Sequence, residues 1–195
     1  MSDERWNEKI KLLPQDRLYA WTLDRFLPSG LVPNHLTLLR FLLTPIVVYL
    51  LYVENYDWGV PLFLFAAWTD TLDGSMARVR RKITEWGIVY DPLADKLLIG
   101  SVLFLIVLRH INLYLGFGLL AVESLMIVGG WFMRRRGTVQ PANFLGKIKM
   151  VAEVFGITLL LMALWLDVSL LVDLSNGTLG VALVVAIASL LTRLY

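Results

Sequence analysis

Asp70, Asp73, Asp91 and Asp95 fall within one short stretch, DTLDGSMARVRRKITEWGIVYDPLADK, flanked by apolar runs long enough to cross a bilayer. A carboxylate at the centre of a membrane helix costs about 2.5–3.5 kcal/mol on insertion scales. Four of them together need a compensating partner, and the hard oxygen donors of Asp suit a hard divalent cation. On a helix at 100° per residue, Asp70 and Asp73 lie about 60° apart and Asp91 and Asp95 about 40° apart. Gly74, Ala77 and Arg78 share the stripe of the first pair, and Gly87, Asp91 and Asp95 form an i, i+4, i+8 ladder on the second. Acids for metal, small residues for close approach and a guanidinium for phosphate are what a metal-bound diphosphate requires.

The order D-x2-D-G-x2-A-R-x8-G-x3-D-x3-D, met here by Asp70, Asp73, Gly74, Ala77, Arg78, Gly87, Asp91 and Asp95, resembles the signature of the CDP-alcohol phosphatidyltransferases at every position. A weaker likeness extends over residues 33–150. PNHLTLLR, beginning at Pro33, is similar to the family's P-N-x-L-T-x-x-R, and DPLADKLL resembles its phosphatidylglycerophosphate synthase branch and the related cardiolipin synthases.

The elements that must carry these residues are helical. Apolar runs predict six membrane helices, over residues 36–53, 58–80, 86–108, 113–133, 150–166 and 178–194, with a turn at Ser175, Asn176 and Gly177 before the last. Asn34 is expected to cap the first helix. Arg40, one turn inside it, must snorkel or face the protein interior. Pro92 is placed in the first turn of the third helix, where its missing N–H costs little. Residues 1–32 mix charges with Trp6, Leu18, Trp21 and Phe26 at roughly helical spacing, and read as a cytoplasmic juxtamembrane amphipathic helix ahead of a membrane domain over 33–195. The fold class is thus all-α, a polytopic membrane protein with an interfacial helix.

Basic residues give the orientation. Arg78, Arg80, Arg81 and Lys82 follow the second helix, Arg134, Arg135, Arg136, Lys147 and Lys149 surround the 4–5 loop, and only Arg109 marks the other side. The positive-inside rule then puts both termini, both basic loops and the four acids at the cytoplasmic face.

The resemblance implies a transferase of phospholipid biosynthesis that moves a phosphatidyl group from CDP-diacylglycerol to an alcohol and releases CMP. It implies two Mg²⁺ or Mn²⁺ ions held by Asp70, Asp73, Asp91 and Asp95, with Asp95 also the general base. Spacing alone assigns the base role to no single one of the four. The CDP-lipid contacts implied are Pro33, Asn34, His35, Leu36, Asp73, Gly74, Ala77, Arg78, Thr84 and Gly87. A homodimer is implied as well.

For the acceptor, Arg134, Lys147 and Lys149 are candidate phosphate contacts, pointing to a phosphorylated alcohol with sn-glycerol 3-phosphate foremost. GKIKM is similar to the G-K-x-K-T of the phosphatidylglycerophosphate synthase branch, with Met150 in place of Thr. That branch carries an Arg–acid pair in helix four, whereas AVESL here has Glu123 and no Arg before it. Cardiolipin synthase-type and inositol-phosphate transfer are the alternatives.

Composition bounds the remaining classes. The 195 residues are 57% hydrophobic, which exceeds what a soluble domain of this length needs. With no Cys there is neither a disulfide framework nor a thiolate metal site. The polar N-terminus lacks a secretory leader's apolar core, and nothing suggests nucleic acid. An ion or proton transporter also uses intramembrane acids, but would spread them over several helices at mid-depth. Here they crowd one end of two.

Overall fold

The computed structural model describes residues 16–17, 20–21, 24, 32–135 and 144–194, and every regular element among them is helical. The helices are α1 (Pro33–Tyr52), α2 (Tyr56–Val79), α3 (Glu85–Val102), α4 (Leu113–Arg135), α5 (Phe144–Leu166) and α6 (Ser169–Leu194). A π-helical stretch, Leu103–Val107, and a last turn, Leu108–His110, prolong α3. Four of the six are long and apolar enough to cross a membrane: α1, α4 over Leu113–Gly130, α5, and α6 over Ser169–Thr192. Helices α2 and α3 carry the signature acids. The interfacial helix expected over residues 1–32 lies for the most part outside the described residues.

The chain divides into two compact units, Met1–Ile99 and Gly100–Tyr195. In the first, α1 and α2 form an antiparallel hairpin. Val47, Leu51, Val60 and Phe63 are fully buried, and Leu51 packs where a Cβ on Gly59 would lie 2.8 Å from its Cδ2. Toward the other end Leu36, Leu72 and Met76 cluster, with Val79 against them.

Three helices end in the same way. Glu54, Arg81 and Asp167 have φ of 59°, 51° and 54°. The next amide in each case reaches back five residues: Asn55 to Leu50, Lys82 to Ala77 and Val168 to Ala163. This is the 6→1 closure of a Schellman motif, with a non-glycine residue in the left-handed position. After the first of these ends, Asn55 starts α2, its side chain accepting a bond from the Trp58 amide.

Several boundaries correct the sequence expectations. Ser175, Asn176 and Gly177 make no turn but lie inside α6, and the break falls at Asp167–Val168. The polar residue there has other work: Ser175 is buried and donates 2.8 Å to the Gly156 carbonyl of α5. Small and hydroxyl residues at a membrane-helix crossing permit this approach. Helix α5 begins six residues early, at Phe144. Pro92 is the eighth residue of α3, two turns in rather than in the first turn. Val32 is the N-cap of α1, without a side-chain bond, and Pro33 takes the first helical position; Asn34 is not the cap.

The α5–α6 crossing supplies a stability prediction. A Cβ on Gly156 would sit 2.7 Å from both Cγ and Cδ2 of Leu179, with the Leu179 backbone nitrogen next at 3.4 Å. Leu179 is itself fully buried. Gly156→Ala should destabilise the protein by about 1–3 kcal/mol, the usual cost of overpacking, read as a lowered Tm in detergent. An unchanged Tm would mean the two helices part without cost.

Candidate active site

The site lies in the first unit, where α1 meets the acids of α2 and α3. Arg40 of α1 is fully buried. Its Nη1 is 2.8 Å from Oδ1 of Asp70, and its Nη2 pairs with Oδ2 of Asp73. Thr37, one turn earlier on α1, donates its hydroxyl to Asp91. One polar stripe of α1 therefore touches both signature helices. Asp91 is close enough to Asp70 and Asp73 for their charges to interact. Asp95 follows one turn later on α3, partly buried.

Below this group a cavity of about 160 Å³ opens. Seven of the expected donor contacts line it: Pro33, Asn34, Gly74, Ala77, Arg78, Thr84 and Gly87, together with Asp91. Lys82, Ile83 and Ile88 line it too and were not singled out from sequence. Three expected contacts do not: His35 is exposed, Leu36 is packed in the cluster with Leu72 and Met76, and Asp73 is buried on Arg40.

Thr84 organises the floor. It is the N-cap of α3, its Oγ1 accepting from the Gly87 amide at 3.0 Å and donating to Asn34 Oδ1 at 2.9 Å. Asn34 thus ties α1 to α3. A side chain at Gly87 would crowd the site, because a Cβ there would meet Asp91 Oδ2 at 3.1 Å, Thr84 Oγ1 at 3.2 Å and Asn34 Oδ1 at 3.5 Å.

Arg78 meets an anion of the chain's own. Its Nε and Nη2 bind Oδ2 and Oδ1 of Asp16 at 2.8 and 2.9 Å, and Asp16 is fully buried. This bidentate carboxylate stands where an anionic group of a ligand would be met by the same guanidinium. Arg80 likewise binds Asp24, 2.6 Å away. At about 160 Å³ the cavity is small beside the roughly 300–1,000 Å³ of most ligand pockets.

In the second unit Lys149 of α5 is buried between two carboxylates, Glu123 of α4 and Glu153 one turn on at 2.8 Å. The intramembrane acid that lacks an Arg before it in sequence therefore takes its cation from another helix. Lys149, expected among the acceptor contacts, is an internal counter-ion here, while Lys147 is exposed. Arg134 closes α4, its side chain outside the described residues.

The donor set fits a hard divalent ion in chemistry and charge: three carboxylates against one Arg, with Asp95 adjacent. Among the described residues, no three acid or imidazole side chains converge as a ready-made cage; Arg40 lies between two of them. Besides Lys82, Ile83 and Ile88 in the lining and Asp16 on Arg78, the sequence did not assign Arg40 and Thr37 to the site. Their signal was present in PNHLTLLR, as polar side chains at i and i+3 in an apolar helix.

Residues 30–192 match the family model for CDP-alcohol phosphatidyltransferase. The CDP-diacylglycerol–glycerol-3-phosphate 3-phosphatidyltransferase of Rickettsia typhi is 32% identical over 136 residues, covering 67% of this chain and 76% of its own length. The protein of the same name in Bacillus subtilis is 34% identical over 150 residues, 67% of this chain and 76% of its own. A probable CMP-forming cardiolipin synthase of Drosophila melanogaster is 30% identical over 139 residues, 71% of this chain and 40% of its own length.

Proposed function

The chain belongs to the CDP-alcohol phosphatidyltransferase family, and we propose that it transfers the phosphatidyl group of CDP-diacylglycerol to the free hydroxyl of sn-glycerol 3-phosphate, giving phosphatidylglycerophosphate and CMP. The observation that carries the chemistry is the gathering of Asp70, Asp73 and Asp91 around Arg40, at the head of a cavity lined by Gly74, Ala77, Arg78 and Gly87. The choice of acceptor rests on the relatives from Rickettsia and Bacillus.

The reaction breaks the bond between the lipid-bearing phosphorus and the oxygen that bridges to CMP. It forms a bond from the acceptor oxygen to that phosphorus. Asp95 takes the hydroxyl proton, and CMP leaves with the bridging oxygen. Gly74 and Ala77 let the nucleotide lie against the α2 backbone, and Arg78 holds the diphosphate once Asp16 yields it. Asp70, Asp73, Asp91 and Asp95 would hold Mg²⁺ or Mn²⁺, which supplies charge neutralisation for the diphosphate and the leaving oxygen. Lys147 and Arg134 are the proposed contacts for the acceptor phosphate.

The finer organisation completes the proposal. All six helices span the membrane, with residues 1–32 on its cytoplasmic surface and both termini and the acids on that side. The protein works as a homodimer. The probable cardiolipin synthase of Drosophila favours one second reading, in which phosphatidylglycerol is the acceptor.

Purified protein given CDP-diacylglycerol should release CMP with sn-glycerol 3-phosphate and not with inositol, inositol phosphate, serine or phosphatidylglycerol. Preference for phosphatidylglycerol would move the assignment to the second reading. EDTA should stop the reaction, and full turnover in EDTA would remove the metal site. Lys147→Ala should raise the acceptor KM about ten- to hundred-fold, the worth of one charge-assisted hydrogen bond, leaving the donor KM unchanged.

A further inference from the structure

We propose that Arg40 is a built-in counter-ion of the carboxylate site, a positioning residue that holds Asp70 and Asp73 in register while no metal is bound. The proposal rests on the metal-site reading above and adds to it a residue from outside the signature.

Arg40 is the eighth residue of α1, a helix with mean hydropathy 1.6 that is long enough to span a membrane. A fully buried guanidinium is cut off from bulk water, so its charge calls for partners within the protein. It is met by two carboxylates of another helix, one at each terminal nitrogen. Asp70 and Asp73 are three residues apart on α2 and interact repulsively with each other and with Asp91. Like-charged groups this close do not hold a fixed arrangement by themselves. One planar cation with two outward nitrogens offsets part of that repulsion, and fixes the two side chains at a set separation. A Lys at this position would be a point charge and could not bridge in that way.

Two further details favour a fixed post over a chance contact. Arg40 Nε and Nη1 are both buried without a hydrogen bond, so the guanidinium is held there by its ion pair with Asp70 and its hydrogen-bonded pair with Asp73. Thr37, on the same stripe, holds Asp91. Helix α1 thus positions three of the four signature acids from outside the signature. When a divalent ion binds, part of the neutralisation passes to it, and the dependence of the fold on Arg40 falls.

That dependence is measurable without catalysis. The experiment is thermal unfolding of the detergent-solubilised protein in EDTA and in excess Mn²⁺, for the wild type, Arg40→Gln and Arg40→Lys. Arg40→Gln should lower Tm by about 10 °C in EDTA, as expected for a buried pair broken on one side, and by less than half of that in Mn²⁺. Arg40→Lys keeps the charge without the fork and should fall between the two in EDTA, which also covers the case in which Arg40→Gln does not fold. A residue that only packs would lower Tm equally in both conditions. Equal losses, with the wild type still stabilised by Mn²⁺, would overturn the proposal alone. No Mn²⁺ stabilisation of the wild type would overturn the metal reading and this proposal with it.

Discussion

Asp95→Asn should lower turnover roughly 10²–10⁴-fold, the range lost with a positioned general base, while CDP-diacylglycerol still binds. The substitution keeps the shape of the side chain and removes its capacity to accept the hydroxyl proton. Asp95 lies a turn beyond Asp91 on α3 and lines no part of the cavity that Arg78 and Gly74 frame. Its loss should therefore lower kcat and kcat/KM for the donor by the same factor, the pattern of an interaction made only in the transition state. Asp70→Asn and Asp73→Asn should behave differently. Each removes a partner of buried Arg40, so donor binding and Tm should fall together with turnover. Near wild-type turnover in Asp95→Asn would move the base role to another residue.

Gly87→Ala should lower kcat/KM for the donor by about three- to tenfold, although the added group is one methyl. That methyl would meet polar atoms on three sides, from Asp91, Thr84 and Asn34, at 3.1–3.5 Å. Two of these form the Thr84–Asn34 bond that ties α3 to α1, and the third is a signature carboxylate. These side chains need give only slightly, well short of the displacement of about 1 Å that costs 10²-fold at a reacting centre, so the loss is correspondingly smaller. The effect should appear in activity before it appears in stability, because the contacts are with polar side chains at a cavity edge. A variant with unchanged kcat/KM would show that Asp91 and Thr84 move aside freely. Comparison of donor KM and Tm in the same preparation separates a shifted site from a loosened fold.

The spacing of the eight signature residues was legible because helical periodicity is local. Asp70, Gly74 and Arg78 share a face whatever the helix packs against. Contacts between distant segments were not legible. Nothing in the sequence indicates that Asp16 reaches Arg78 across 62 residues, or that Lys149 lies between Glu123 and Glu153. Arg40 was legible as a residue that must face inward or snorkel, but not as the partner of Asp70 and Asp73. Helix ends were misread where their chemistry was unusual. A left-handed position filled by Asp167 instead of Gly gives no compositional cue, whereas Ser175-Asn176-Gly177 gives a strong one for a turn. The Ser175 bond to the Gly156 carbonyl explains why that cue failed. Asn34 misled in a similar way. Its side chain can cap a helix, but Thr84 takes it instead, and Pro33 already occupies a position where no amide needs capping.

The pairing of Arg40 with Asp70 and Asp73 also bears on how the chain enters the bilayer. An unpaired Arg at a helix centre costs about 2.5–3.5 kcal/mol on insertion scales, and an Asp a similar amount. On the proposed six-span reading, α1 released alone into lipid would carry part of that penalty and α2 part of it twice, since Arg40, Asp70 and Asp73 lie away from the helix centres. The three residues between Tyr52 and Tyr56 are too few to let one helix settle while the other waits at a distance. On that reading the nascent chain is expected to yield α1 and α2 to the membrane as one hairpin, charges already matched.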